Sequence, residues 1–226
     1  MSRSSGGRPT SGGSSHALYS ALLVGGGASQ TKPHSRASDT IEVPPTLQPV
    51  VKSTPDALSV GRWGAACVAS GSKLSVAGGK VYAGRIKSFI TDAIDEYDAA
   101  ADAWTLSARK LSVGRESMGA ADVGGSLLFV GGWAWNGGDA AASAVLDVFA
   151  PGSSAPTTAT LPGAAYWMGT VVLGDTALLV VDAQLSVWRG GAFTSSALPS
   201  ELVGRGKDGG GIPGAHVERN GVVVST

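Results

Sequence analysis

Residues 127–132 read LLFVGG. Fifty-three positions earlier residues 74–79 read LSVAGG, and 53 before that residues 21–26 read ALLVGG. With 34 glycines in the chain, one diglycine after an apolar run carries little weight. Three at a single interval form a repeat. A period of about 50 residues marks an architecture in which each unit is one supersecondary element that buries its apolar face against its neighbours.

The register reaches beyond the glycines. LSVGR at 58–62 returns as LSVGR at 111–115. Each is followed by a run of small residues (WGAACVAS, ESMGAADV), a turn (GSK, GGS) and the strand that ends in Gly-Gly. A variable loop follows, then AIDEYD at 93–98 or VLDVFAP at 145–151, and Trp104 stands seven residues after Tyr97. Short apolar runs separated by Gly-rich turns predict four antiparallel strands per unit. A third copy is eroded: MGTVVLGDTALLVVD (168–182) overlays MGAADVGGSLLFVGG at an offset of 50, with Val181 and Asp182 in place of the glycine pair. Trp188 then takes the place of Tyr97 and Phe149, and Phe193 approximates Trp104. LVGRG (202–206) and GAHVERNGVVVST (214–226) read as the start of a further copy that stops within its second strand. ALLVGG and DTIEV (39–43) supply the second and third strands of an earlier copy, whose first strand falls in a Ser/Gly-rich tail.

A glycine pair after an apolar strand, a Tyr before Asp, a Trp about seven residues on and an Arg opening the next unit resemble the kelch repeat. Residues 58–110 carry the whole pattern in Arg62, Gly78, Gly79, Tyr97, Asp98 and Trp104. Residues 111–164 keep Arg115, Gly131, Gly132 and Phe149 but have no Trp near position 156. The resemblance implies an all-β, partial β-propeller of about four blades, each a four-stranded antiparallel sheet. The blades are placed at 17–57, 58–110, 111–164 and 165–204, with an incomplete one at 205–226, after a disordered tail at 1–15.

Blades that converge on a channel need small residues on the innermost strand, and Gly64-Ala65-Ala66, Gly119-Ala120-Ala121 and Gly169-Thr170 fit that place. The glycine pairs belong where backbones approach closely or φ is positive. None is followed by the Gly-Lys-Ser/Thr of a phosphate loop. Tyr97 and Trp104 are expected as core aromatics between blades, and Arg62 and Arg115 as structural.

Seventeen basic and 17 acidic residues leave a formal net charge of zero, which gives no electrostatic case for nucleic acid or an anionic membrane. No segment approaches the roughly 18 apolar residues of a membrane span. The single cysteine, Cys67, is expected as a buried structural thiol, and the lack of a disulfide framework favours a reducing compartment such as the cytoplasm. Residues 1–38 hold no Asp or Glu but carry Arg3, Arg8, Lys32 and Arg36, the composition of an organelle transit peptide. ALYSALLVGGGAS could also pass for a signal-peptide core, yet the 53-residue register reads it as a strand.

His16, His34 and His216 have no metal-ligand spacing, so no metal or cofactor is expected. The carboxylates of DTIE and DEYD occupy strand positions of the repeat. Galactose oxidase carries kelch-like blades, but its copper ligands and its tyrosine cross-linked to cysteine have no counterpart set here. The expected function is a non-catalytic scaffold that binds a protein partner through rim loops. The alternatives are a propeller domain of a carbohydrate-active or galactose-oxidase-like enzyme, or a fragment without a function of its own. The segments that depart most from the repeat are KVYAGRIKSFITD (80–92) and WAWNGGD (133–139). They make Trp133, Trp135, Asn136, Arg85 and Lys87 the candidate partner-binding residues. Open sheet edges at the ends of a partial propeller predict self-association.

Overall fold

The structure is a computed structural model that describes residues 19–24, 36–43, 50–83, 87–135, 139–165, 170–181, 184–197, 214–218 and 221–225. The tail at 1–15, the first glycine pair, Arg85, Asn136, Gly169, Asp182, His16, His34 and LVGRG lie outside the described residues. The described chain is all strand and turn, and none of it is a helix long and apolar enough to cross a membrane.

The first sheet has three strands, β1 (Tyr19–Val24), β2 (Ser38–Val43) and β3 (Val50–Thr54), in the order β1-β2-β3. ALLV and DTIEV thus pair as expected. The second sheet is a four-stranded meander of β4 (Ala66–Ser70), β5 (Lys73–Ala77), β8 (Ala93–Asp98) and β9 (Ala103–Lys110). Between its second and third strands the chain makes a separate hairpin, β6 (Lys80–Ala83) and β7 (Lys87–Ile90). Gly64 and Ala65 precede the inner strand, which starts at Ala66.

The next unit repeats the meander as β11 (Gly119–Val123), β12 (Ser126–Val130), β14 (Ala140–Phe149) and β15 (Thr157–Ala165). Two short strands enlarge the expected four to six: β10 (Arg115–Glu116) pairs β13 (Trp133–Trp135), which pairs the start of β14. The unusual length of β14 permits this, because its first residues extend past β12. The third copy, β16 (Thr170–Leu173), β17 (Thr176–Val181), β18 (Gln184–Arg189) and β19 (Ala192–Ala197), is again four-stranded. Its register puts Trp188 opposite Ala177 and Phe193 opposite Trp188. Tyr97 likewise faces Leu74 and Trp104, so both aromatic equivalences read from the sequence hold. The last segment forms a hairpin, β20 (Gly214–Glu218) with β21 (Gly221–Ser225).

The first strands β4, β11, β16 and β20 lie side by side in that order, as the inner strands of successive blades should. Thr170 Oγ1 donates to the Ala120 carbonyl (2.6 Å) across one of these seams. The core lies between blades rather than within one. All of Leu127–Val130 is buried, and the strand alternation sends Leu127 and Phe129 to one seam and Leu128 and Val130 to the other. Toward β4 and β5 they pack with Ala66, Val68, Ala77 and Ile94; toward β17 and β18, with Ala177, Leu179 and Trp188.

Two sequence expectations about burial change. Cys67 is exposed, because alternation along β4 buries Ala66 and Val68 and turns the thiol away from the seam. Protein atoms still desolvate it and raise its pKa, against the opposing charge of Arg62. Tyr97 and Trp104 are half-buried rather than core, with ring centroids 5.3 Å apart. Trp104 does work between blades, since its Nε1 donates to Ser38 Oγ on β2 (3.1 Å).

Candidate functional site

An antiparallel meander places its first and third turns at one rim and its second loop, with the link to the next unit, at the other. The glycine pairs, the β6–β7 hairpin, β13 and both LSVGR segments therefore share one rim. What fixes that rim is two buried ion pairs. Arg62 Nη2 donates to Asp95 Oδ2 (2.6 Å) and to the Val76 carbonyl (3.0 Å). Arg115 donates to Asp147, to the Gly131 carbonyl (2.8 Å) and to the Val145 carbonyl (2.7 Å). All four side chains are sealed from solvent. Burial lowers the pKa of both guanidinium groups and the paired aspartates oppose it, so both stay cationic at neutral pH.

The rest of LSVGR serves the same purpose. Leu58 and Leu111 are buried, and the amides of Ser59 and Ser112 donate to Asp95 and Asp147 (3.2 Å each). Each Arg-Asp pair thus ties the segment entering a blade to that blade's third strand.

The glycine pair ties one blade to the next. Gly79 N–H donates to the Arg115 carbonyl (2.8 Å), and Ser117 N–H donates to the Gly64 carbonyl (2.7 Å). Gly78 has φ +66°, and a Cβ there would overlap the Arg115 carbonyl oxygen. The opening repeat is therefore a backbone docking point.

On this frame stands an aromatic and cationic surface. Trp63 and Lys80 exchange backbone hydrogen bonds, and Lys80 Nζ lies 5.9 Å from the Trp63 ring and 5.8 Å from the Tyr82 ring. Glu116 is buried beside them, its Cα opposite Trp133, and its Oε2 has no hydrogen-bond partner within the protein. Burial raises its pKa, with Lys80 opposing. Ser117 follows at φ +54°, a conformation that costs a non-glycine residue about 1–3 kcal/mol.

The structure brings the two irregular segments together, for β7 lies against β13. Trp135 is 44% exposed and Trp133 half-buried. Lys87 sits opposite Ala83 in β7, while Asn136 and Arg85 fall outside the described residues. Sequence reasoning missed Phe89, 48% exposed, together with Trp63, Lys80, Tyr82 and Glu116. A period-2 reading of KVYA and KSFI as a hairpin would have placed Phe89 across from Val81, as the register does.

A shallow groove of about 480 Å3 opens at the opposite rim, lined by Val123, Val148, Trp188 and the glycine turns at 124 and 190–191. At its mouth Asp175 and Arg189 form an exposed pair (3.0 Å). Among the described residues no three His, Cys, Asp or Glu side chains are grouped to hold a metal.

No protein-family model and no curated protein matches the sequence. Solved structures do match by shape. YjhT, of β-propeller-type fold, superposes with a TM-score of 0.62 at 12% identity, over 78% of this chain and 65% of YjhT. The chain thus spans about two thirds of that protein's length. The fold is of the β-propeller type.

Proposed function

We propose that this chain is a kelch-type propeller segment and a non-catalytic scaffold, binding a protein partner through the loops of the glycine-pair rim. One observation carries the reading: the β6–β7 hairpin and β13 meet at that rim and expose Phe89 and Trp135 there. Exposed aromatics on a rigid support are what interface anchors need, because little conformational entropy is lost when they are covered. Asp95 and Asp147 are committed to buried arginines. A photo-crosslinking amino acid at position 135, with position 106 on outer strand β9 as control, tests the reading in native extract. Discrete adducts from 135 and none from 106 support it; equal labelling, or none at 135, sinks it.

Self-association through an open edge belongs to the same proposal. Among the described residues β1 pairs β2 alone, which leaves one edge able to template another strand. Light scattering that shows a monodisperse monomer at all concentrations would count against it.

A further inference from the structure

The groove at the opposite rim lies over a seam whose counterpart between the two preceding blades is covered. There Arg109, on β9, holds its guanidinium 5.6 Å from the Phe149 ring, and Glu96 accepts from Arg109 Nε (2.9 Å) and from Ser107 Oγ (3.1 Å). One blade on, Trp188 takes the place of Phe149 and the polar partners are gone. Val148 follows Asp147 as Glu96 follows Asp95, and β15, the counterpart of β9, supplies Ala159 and Leu161. All three pack into the apolar seam around Trp188. The turns change as well. After the ring residue the copies read Ala150-Pro151-Gly152 and Arg189-Gly190-Gly191, and a Cβ at Gly190 or Gly191 would have nothing within 4 Å. Asp175 stands 50 residues after Gly125, and at the mouth its Oδ2 lies 3.0 Å from both Nε and Nη2 of Arg189. A planar cation covers the ring in one seam, and about 480 Å3 of open groove lies beside the ring in the next.

Going beyond the scaffold reading, we propose that this groove binds a small uncharged aromatic compound that carries a hydroxyl group. Shape and charge select that class. The preceding seam shows that a flat group fits over the equivalent ring, and a second ring beside Trp188 gains from aromatic contact as well as burial. A charged group would lose its water to a floor where Val148 replaces the carboxylate that balances Arg109. At the mouth Asp175 and Arg189 neutralise each other, and together they offer a hydroxyl one acceptor and one donor. The volume is that of a small-molecule cleft.

The test measures dissociation constants for the full chain by saturation-transfer NMR with p-cresol, toluene, benzoate, benzylammonium and a blocked Gly-Tyr-Gly peptide. The expected result is that p-cresol binds about fivefold more tightly than toluene, the worth of one hydrogen bond. It should bind at least about tenfold more tightly than either ion. Gly190→Asn keeps a residue that tolerates positive φ and puts a side chain over the groove, so it should weaken p-cresol by at least about tenfold. Ser126→Phe, on the facing turn, supplies the same block should the first variant fail to fold. Arg189→Leu should remove the advantage over toluene, and Leu106→Ser, on outer strand β9, should change nothing. Equal affinities for the four compounds, p-cresol binding that both blocking variants leave intact, or tighter binding of the peptide than of p-cresol overturns the proposal. Failure of p-cresol to bind also overturns it, and leaves the reading of the glycine-pair rim untouched.

Discussion

Arg115 and Asp147 form an ion pair with neither side chain exposed to solvent, and Arg62 and Asp95 repeat it in the preceding blade. Strand register identifies the site: Asp95 lies opposite Val76 and Asp147 opposite Phe129. In the next blade the same register puts Ser186 opposite Leu179, and Ala165 stands 50 residues after Arg115. The two partners are absent together. A carboxylate kept without its arginine would be a buried, uncompensated charge, which costs more than losing both. Ser186 is instead buried as a neutral group, its hydroxyl 3.0 Å from Ser195 Oγ.

Asp147→Ser should therefore destabilise the protein by about 3–5 kcal/mol, the cost of leaving Arg115 buried and unpaired. The double variant Arg115→Ala with Asp147→Ser, which copies the eroded blade, should cost less than the two single changes added together. A double-mutant cycle in chemical denaturation measures the coupling. Additive losses would show that the pair does not act as a unit.

Gly78→Ala should be destabilising by about 2–5 kcal/mol, through overlap with the Arg115 carbonyl and a positive φ that disfavours a Cβ. Gly71 supplies the control, because it shares the positive φ but has open space where a Cβ would go. Gly71→Ala should cost about 1–2 kcal/mol. Denaturation midpoints that fall equally would mean that the docking contact at Gly78 contributes nothing.

The sequence made the repeat legible because the features that propellers require, glycines at a close approach and small inner-strand residues, are composition-specific and recur in register. Asp95 and Asp147 were open to the same reading, since each falls third in its strand motif, AID or VLD, but an aspartate in a strand has no single meaning until its arginine is seen above it. The hairpin β6–β7 and the strand β13 were visible only as departures from the repeat. Their meeting depends on how two neighbouring blades lean together, and no local pattern encodes that. The exposure of Cys67 follows from which residue of β4 begins the alternation, a one-residue question that a run such as GAACVAS does not decide.

Glu116 should make stability depend on pH. Burial raises its folded-state pKa above the unfolded value, so the folded state holds the proton more tightly. The resulting stability is present below the ordinary glutamate range and is lost as pH rises through the raised value. Glu116→Gln should then match the wild type in acid and exceed it at neutral pH. Thermal melts of both proteins across that range check the sign; a wild type more stable than the variant at neutral pH would mean that Lys80 outweighs burial.

Trp104 and Trp135 should separate stability from binding. Trp104 is half-buried against Tyr97 and reaches across a seam to Ser38, so its removal loses ring packing and an interblade hydrogen bond. Because it is not fully enclosed, Trp104→Ala should cost about 2–4 kcal/mol, below the upper range for a core aromatic. Trp104→Phe keeps most of the ring and loses only the bond to Ser38, for about 1 kcal/mol. Trp135, 44% exposed at the edge of β13, should tolerate Ala within about 0.5 kcal/mol while losing rim binding. Denaturation of the three variants, read beside crosslinking, decides between the roles. A Trp135→Ala loss as large as that of Trp104→Ala would make Trp135 a structural residue and remove the anchor from the proposed surface.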